Sequence, residues 1–220
     1  MHTLSFDYNP LVSILLCTYN RARYLPDCIE SVINQTNQDW ELVIMDDGST
    51  DDTFQVVDAY MQKHPNIRYL KHQNKKVACA RNLAMMASFG SYITFLDSDD
   101  RYKPDHIQSR LDFMLAHPDI DLIEGGIDIE ADYFLSDYYH PDQLISIRDC
   151  IAGATFFGKR AVFFTIGGYK LIDYAEDAEF WARAEKVFTV AKIAEPKTYI
   201  YSRAEDSITR KETERLMHGV

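Results

Sequence analysis

The first hundred residues alternate between two hydrophobic periodicities. Four short, mainly apolar runs have the length of buried strands, at residues 11–17, 41–45, 67–70 and 91–96. Between them, apolar residues recur at helical spacing over residues 25–33, 54–61 and 79–89. Strands that alternate with helices predict right-handed crossovers and a mainly parallel sheet with helices on both faces.

The second half of the chain has a less regular pattern. Ile127, Ile129 and Ala131 alternate with acidic residues, which is typical of a half-buried strand. Residues 137–149 are expected to form a long polar loop. The other elements that the pattern predicts are helices near 159–165 and 175–188 and strands around 190–194 and 197–201. We therefore expect a smaller mixed region after about residue 122.

Polar residues cluster at the carboxyl ends of three predicted strands. They are Thr18, Tyr19 and Asn20 after the first strand, Asp46, Asp47 and Gly48 after the second, and Asp97, Ser98 and Asp99 after the fourth. In an open parallel sheet these ends lie along one edge, and ligands bind in the crevice beyond it. The sequence therefore predicts one functional site, built from residues that are distant along the chain.

The acidic cluster after the fourth strand carries the most information about chemistry. Asp97 and Asp99 are two residues apart, so in an extended backbone they would lie on the same side. Two carboxylates suit Mg²⁺ or Mn²⁺, with a substrate phosphate completing the coordination shell. The same residues are also common in ordinary solvated turns. Taken alone, the cluster fits both phosphate chemistry and a plain loop.

Length and composition predict one globular domain. A chain of 220 residues can hold a single α/β domain with a full core. Its 46% hydrophobic residues are too many for a disordered chain. We find no linker rich in Pro, Gly or Ser that would divide two domains. The formal net charge of -11 argues against nucleic acid as a partner, because the long-range field would repel it.

Localisation and cysteine chemistry are also constrained by composition. No apolar run approaches the roughly 18 residues that would span a bilayer, and the first residues resemble no signal peptide. The sequence predicts a cytoplasmic protein without a transmembrane segment, and leaves peripheral association with the inner face of a membrane open. The cysteines lack CxxC spacing, so we expect buried reduced thiols without a chemical role at Cys17, Cys28, Cys79 and Cys150.

Six short motifs follow one another along the chain. They are VSILLCTYNR at 12–21, ELVIMDDGSTDDT at 41–53, ARN at 80–82, FLDSDD at 95–100, GGY at 167–169 and AEDAEFWAR at 175–183. In this order they resemble the inverting family-two glycosyltransferases, over about residues 11–209. The resemblance implies an α/β A-type glycosyltransferase fold in a single domain. It also implies a nucleotide-binding half at about 11–121, an acceptor and catalytic half at about 122–209, and a peripheral tail at 210–220.

The resemblance implies a nucleotide sugar, with a UDP-sugar favoured, lying across the carboxyl edge of the sheet. Tyr19 corresponds to the aromatic residue that packs on the base, Asp47 to an acid that accepts a hydrogen bond from it, and Arg81 to a cation near the nucleotide. Each role has an alternative. Tyr19 could be a plain surface aromatic, and Asp47 could belong to an Asp-Gly turn with Asp46 making the contact. Arg81 could be a structural ion-pair partner. The full implied set is Thr18, Tyr19, Asn20, Asp47, Arg81, Asp97 and Ser98.

The resemblance also implies which residues bind the metal and which one is catalytic. Asp99 and Asp97 correspond to its ligands for Mn²⁺ or Mg²⁺, with Asp99 coordinating directly and Asp97 also able to reach the ribose. Asp177 corresponds to the general base. Alternatively, Glu176 and Asp177 are acids that stabilise a helix N-terminus. One carboxylate suffices to deprotonate a saccharide or glycolipid acceptor, and a single displacement then inverts the anomeric carbon. Acceptor contacts are expected from the loops 133–150 and 170–174.

Two departures from the family pattern bear on the site. Ala204 stands where a His often completes the metal site, with Glu205 or Asp206 as substitutes. Lys76 stands where Gly is common before the ARN motif, so a positive φ is less accessible there. Its ammonium could instead meet the diphosphate or the acceptor.

Three other functions are alternatives to that of a glycosyltransferase. A nucleotide-sugar-binding module without turnover would keep the nucleotide site with an altered metal site. A nucleotidyltransferase would normally show a Gly-rich basic loop after the first strand, and residues 18–23 lack one. A dinucleotide-dependent oxidoreductase would require the motif GxGxxG after the first strand, and the sequence lacks it there. The sequence leaves the donor sugar, the acceptor and the oligomeric state open.

Overall fold

Strands and helices alternate through the first half of the chain, as the hydrophobic pattern predicts. The computed structural model describes residues 9–131, 133–140, 143–172 and 174–202. The first elements are β1 (Val12–Thr18), α1 (Leu25–Ile33), β2 (Trp40–Asp46), α2 (Thr53–Met61), β3 (Ile67–Lys71), α3 (Val77–Ala87), β4 (Tyr92–Asp97), β5 (Arg101–Tyr102) and α4 (His106–Ala116). Each predicted strand and helix of this half is present, with its bounds shifted by one or two residues.

The second half adds short strands and two helices. They are β6 (Leu122–Gly125), β7 (Ile127–Asp128), β8 (Phe134–Ser136), β9 (Leu144–Ser146), a 3₁₀ turn (Gly153–Thr155), β10 (Phe157–Lys159), α5 (Arg160–Thr165), α6 (Glu176–Ala184), β11 (Val190–Ile193) and β12 (Tyr199–Ile200). The charged tail lies outside the described residues. No helix in the described part of the chain has the length and apolar character needed to cross a bilayer.

A seven-stranded sheet takes strands from both halves, in the order β11-β6-β10-β4-β1-β2-β3. β1 pairs in parallel with β2 and β4, β3 pairs in parallel with β2, and β11 pairs in parallel with β6. β10 is the exception, because it lies antiparallel between β4 and β6. The prediction of a mainly parallel sheet flanked by helices is confirmed.

The strand β1 is buried on both faces, which explains its continuous apolar run. Ile14 and Leu16 pack into one cluster with α1, α2 and α4, whereas Leu15 packs into a second cluster with α3, α5 and α6. These two cores clamp the sheet between helical layers. They fix the carboxyl ends of β1, β2 and β4, where the predicted site residues lie.

The expectation that Asp97 and Asp99 follow one another in an extended backbone is wrong. β4 ends at Asp97, and the amide of Asp100 donates to the carbonyl of Asp97 at 3.0 Å, which closes a turn. The buried carboxylate of Asp100 accepts hydrogen bonds from the Tyr199 hydroxyl (2.7 Å) and the Ser202 amide (2.6 Å). Tertiary bonds from the end of the described chain therefore hold this turn.

The expected polar loop at 137–149 contains a strand. β9 pairs antiparallel with β8, so that Leu135 lies opposite Ile145. A strand of three residues is too short to show a clear alternation, which is why the pattern did not reveal it. The hairpin formed by β8 and β9 is a two-stranded sheet that is separate from the central one.

Candidate active site

One cleft of about 910 Å³ lies at the carboxyl ends of the central strands. The residues that the sequence places in nucleotide, metal and catalytic roles all line it: Thr18, Tyr19, Asn20, Asp47, Arg81, Asp97, Ser98, Asp99 and Asp177. They come from the last residues of β1 and β4, from the loops after β1, β2 and β4, and from the N-terminal halves of α3 and α6. The structure therefore brings these distant side chains around a single cavity.

Asn20 joins the loops that follow β1 and β2. It adopts a positive φ of 53°, its amide donates to Ser49 Oγ, and its Oδ1 accepts from the Thr50 amide, both at 2.8 Å. The side-chain oxygen of Asn20 is thus engaged in structure as well as lining the cleft. The neighbouring Tyr19 is 47% exposed in the same loop. Its ring is available to a planar ligand.

Asp46 and Asp47 face different surroundings. Asp46 is fully buried and accepts hydrogen bonds from the Ser49 amide (2.7 Å) and the Tyr69 hydroxyl. Asp47 lines the cleft, and its Oδ1 accepts from the Lys75 amide at 2.7 Å. Of this pair, Asp47 is the residue that a ligand in the cleft would meet.

Arg81 connects the end of β4 to the start of α6. Its Nη1 donates to Glu176 Oε1 at 2.8 Å, and its Nη2 donates to Asp97 Oδ1 at 3.3 Å. Burial opposes the charge of Arg81, but the negative charges of Asp97 and Glu176 help to raise its pKa well above the usual range. A permanent cation is therefore fixed between the two acidic groups.

Asp177 is held by backbone amides in the first turn of α6. Its Oδ2 accepts from the Gly153 amide at 3.0 Å, and its Oδ1 accepts from the Ala178 amide at 2.8 Å. Burial raises the pKa of Asp177, although Arg81 and these amide donors oppose the shift. The result is an oriented carboxylate with higher basicity than an exposed aspartate.

Gly153 was not singled out by the sequence, yet its lack of a side chain is needed. An added Cβ would lie 2.5 Å from the Asp177 Cβ and 3.2 Å from its Oδ2. The contact joins residues from separate elements, so no local pattern in the sequence indicates it.

The carboxylates near β4 offer a pair of candidate metal ligands. Asp97 has a side chain that is 40% exposed, and Asp99 lines the same cleft. Asp100 also lines the cleft, but both of its oxygens already accept hydrogen bonds within the protein, and burial raises its pKa well above the usual range. Within the described ranges, no group of three or more His, Cys, Asp or Glu residues could hold a metal. Ala204, Glu205 and Asp206 lie outside them.

Lys76 adopts the backbone conformation that its side chain was expected to hinder. It has φ 70° and ψ 167° immediately before α3, and it lines the cleft. Such a conformation costs a residue other than glycine about 1–3 kcal/mol. The surrounding structure therefore imposes this geometry on a lysine.

The four cysteines form no disulfide, but only one of them is as buried as the sequence predicts. All four cysteines are free, and Cys28 is buried whereas Cys17, Cys79 and Cys150 are partly buried. Burial raises the pKa of Cys17 and of Cys150 to about 12. Both line the cleft as protonated thiols.

Comparison with known proteins shows which family this chain belongs to. Residues 13–173 match the family described as glycosyl transferase family 2. The chain is 34% identical to chondroitin synthase of Escherichia coli over 185 residues, which cover 81% of this chain and 27% of that protein. It is 38% identical over 111 residues to a putative teichuronic acid biosynthesis glycosyltransferase of Bacillus subtilis, covering 50% and 44%. The chain spans less than half the length of these relatives.

Solved structures share the fold. The S. aureus TarS fragment 1-349 in complex with UDP-GlcNAc superimposes with a TM-score of 0.73 at 20% identity, covering 90% of this chain and 60% of that one. The mannosyltransferase PcManGT from Pyrobaculum calidifontis, in complex with GDP-Man and Mn²⁺, gives 0.73 at 17%, covering 91% and 59%. The predicted A-type glycosyltransferase fold is confirmed.

Proposed function

The chain belongs to glycosyl transferase family 2, and from this premise we propose that it transfers a sugar from a nucleotide sugar to a saccharide or glycolipid hydroxyl. The favoured donor is a UDP-sugar, and the reaction inverts the anomeric carbon. The observation that carries the proposal is the convergence of Asp47, Arg81, Asp99 and Asp177 on one cleft.

The donor base is assigned to the side of the cleft that β1 and β2 form. The exposed ring of Tyr19 packs on the base, where stacking adds to the buried area. Asp47, oriented by the Lys75 amide, accepts a hydrogen bond from the base ring. The TarS complex contains UDP-GlcNAc and the mannosyltransferase complex contains GDP-Man, so neighbours of this fold accept more than one base.

Asp99 and Asp97 are the residues that would hold Mn²⁺ or Mg²⁺. Their oxygens are the hard ligands that these ions prefer, and the two carboxylates leave coordination positions for a diphosphate. A bound divalent ion would offset the negative charge that grows on the leaving diphosphate. Arg81 adds a fixed positive charge from the protein itself.

Asp177 acts as the general base. Its carboxylate takes the proton of the acceptor hydroxyl as that oxygen bonds to the anomeric carbon and the bond to the diphosphate breaks. The Gly153 and Ala178 amides hold the carboxylate in place during the transfer. One displacement on the face opposite the leaving group gives the inverted product.

Binding of UDP with and without Mn²⁺ tests the donor and metal assignments. We expect calorimetry to show that Mn²⁺ increases the affinity of the wild type for UDP. In Asp99→Ala this metal-dependent increase should be smaller by about 10–100-fold. Asp119→Ala, an exposed acid outside the cleft, should bind as the wild type does. Equal Mn²⁺ dependence in Asp99→Ala would show that another group holds the metal.

A donor hydrolysis assay separates the enzyme from a binding module. The wild type is expected to release free sugar from its donor slowly and to transfer it faster when an acceptor is added. UDP binding without hydrolysis or transfer of any donor would favour the binding module.

Gly153→Ala tests the support of the proposed base. The added methyl group collides with Asp177, and a displacement of about 1 Å in a reacting group can reduce a rate by about 10²-fold. We expect the transfer rate to fall by at least about tenfold while UDP affinity stays unchanged. Gly167→Ala provides the control, because its added Cβ meets no atom within 4 Å although its φ is 77°. A wild-type transfer rate in Gly153→Ala would contradict the proposed contact.

A further inference from the structure

We propose that Tyr138 and Tyr139 form a platform that binds a second sugar ring of the acceptor, so that the preferred acceptor has at least two sugar units. This inference rests on the proposed function and adds a subsite to it. The platform lies on the loop between β8 and β9, which contributes none of the residues assigned to the donor.

The platform belongs to the same cleft as the proposed base. Tyr138, Tyr139 and Asp177 all line that cleft. β9 ends at Ser146, and only residues 147–152 separate it from Gly153, whose amide donates to Asp177. The hairpin is therefore close along the chain to the residue that supports the proposed base, and it shares the cleft with that base.

The two rings are arranged to offer open aromatic surface. Tyr139 is 58% exposed and Tyr138 is 36% exposed. Their centroids are 5.1 Å apart and their planes meet at 76°, an edge-to-face pair. In this geometry the edge of one ring covers one face of the other, which leaves further ring faces to a ligand. Exposed aromatic rings that line a cleft are a common feature of ligand sites.

The polar groups around the rings match a sugar better than a lipid chain. Asp137 accepts a hydrogen bond from the Tyr139 amide at 2.9 Å, and Glu185 also lines the cleft. Burial raises the pKa of the Tyr139 phenol, and the negative charge of Glu185 adds to this shift. A pyranose has a face of C–H groups for an aromatic ring and a rim of hydroxyls that carboxylates can accept. An alkyl chain would displace water from these carboxylates without offering them a hydrogen-bond donor.

The experiment compares saccharide binding by platform variants. A panel of neutral and acidic saccharides from one to six units is immobilised and probed with the full chain in the presence of UDP and Mn²⁺. We expect the wild type to retain at least one class of two or more units. The double variant Tyr138→Ala, Tyr139→Ala should lose at least tenfold of that binding, whereas Tyr138→Phe, Tyr139→Phe should keep it within about threefold because the rings remain.

Controls separate this subsite from folding and from the donor site. Phe164→Ala removes a similarly exposed ring outside the cleft and should bind saccharides as the wild type does. UDP affinity and melting temperature should not change in the tyrosine variants. A wild type that binds neither UDP nor GDP would refute the proposed function itself, whichever saccharides it retains.

Three outcomes would overturn the platform while the proposed function stands. The first is unchanged saccharide binding in the double alanine variant, and the second is equal binding of single sugars and longer saccharides. The third is a wild type that binds UDP but retains no saccharide. Vesicles of phosphatidylcholine and phosphatidylglycerol test the lipid alternative: loss of vesicle binding with unchanged saccharide binding would assign the tyrosines to a membrane.

Discussion

Asp177→Asn is expected to leave only a small residual rate of sugar transfer while UDP binding stays within about twofold of the wild type. The amide has almost the same shape as the carboxylate, but it cannot take a proton from the acceptor hydroxyl. General base catalysis contributes about 10²–10⁴-fold to a rate, so we expect a loss of that size in the transfer rate. Transfer at saturating donor and calorimetry with UDP measure the two quantities.

The pH dependence identifies the group that titrates. Because burial raises the pKa of Asp177, the acidic limb of the wild-type rate profile should lie above the value of about 3.9 for an exposed aspartate. The base works when deprotonated, so the rate falls as the pH decreases through this pKa. The residual activity of Asp177→Asn should lack the limb, while Asp119→Asn should retain both rate and profile. An Asp177→Asn enzyme with the wild-type rate would refute the assignment.

Arg81→Met is expected to destabilise the fold and to suppress transfer together. The change leaves the carboxylates of Glu176 and Asp97 without their shared cation. Breaking a buried ion pair costs about 3–5 kcal/mol, and we expect about 3 kcal/mol because Asp97 is partly exposed. Urea unfolding measures the stability, and a transfer assay under native conditions measures the rate.

Two further variants separate charge from packing at this position. Adding Glu176→Gln to Arg81→Met removes one of the two negative charges that have lost their cation, and it should restore part of the lost stability. Arg160→Met alters an arginine outside the cleft and should change the transfer rate little. Stability equal to the wild type in Arg81→Met would mean that the two ion pairs contribute no net free energy of folding.

The regular part of the fold was predictable from hydrophobic period alone. The strand β1 is flanked by two cores, so every position in it is apolar or small, and its pattern is unambiguous. β2 and β4 are also mainly apolar, although β2 carries the buried Glu41 and both strands end in an aspartate, and the polar residues at their carboxyl ends marked the edge where the cleft lies. The motifs then supplied the roles of Asp47, Arg81 and Asp177, which remain proposals.

What the sequence did not reveal depends on contacts between distant residues. The turn after β4 is held by Tyr199 and Ser202, and a local pattern after Asp97 contains no sign of them. A glycine is needed at position 153 because Asp177 lies so close to it. Lys76 adopts a positive φ, which a lysine disfavours. Each of these features is caused by contacts that form only in the folded protein.

The antiparallel strand β10 has a consequence for chimeric proteins. It hydrogen-bonds to β4 on one side and to β6 on the other, so it is the seam between the two halves of the central sheet. A hybrid that grafts a new second half onto residues up to α4 must bring a strand that fits this slot. Without one, β4 becomes an open edge prone to self-association. Recombination that aims at new acceptors is therefore better confined to the β8–β9 hairpin, whose two strands pair with each other and leave the seam intact.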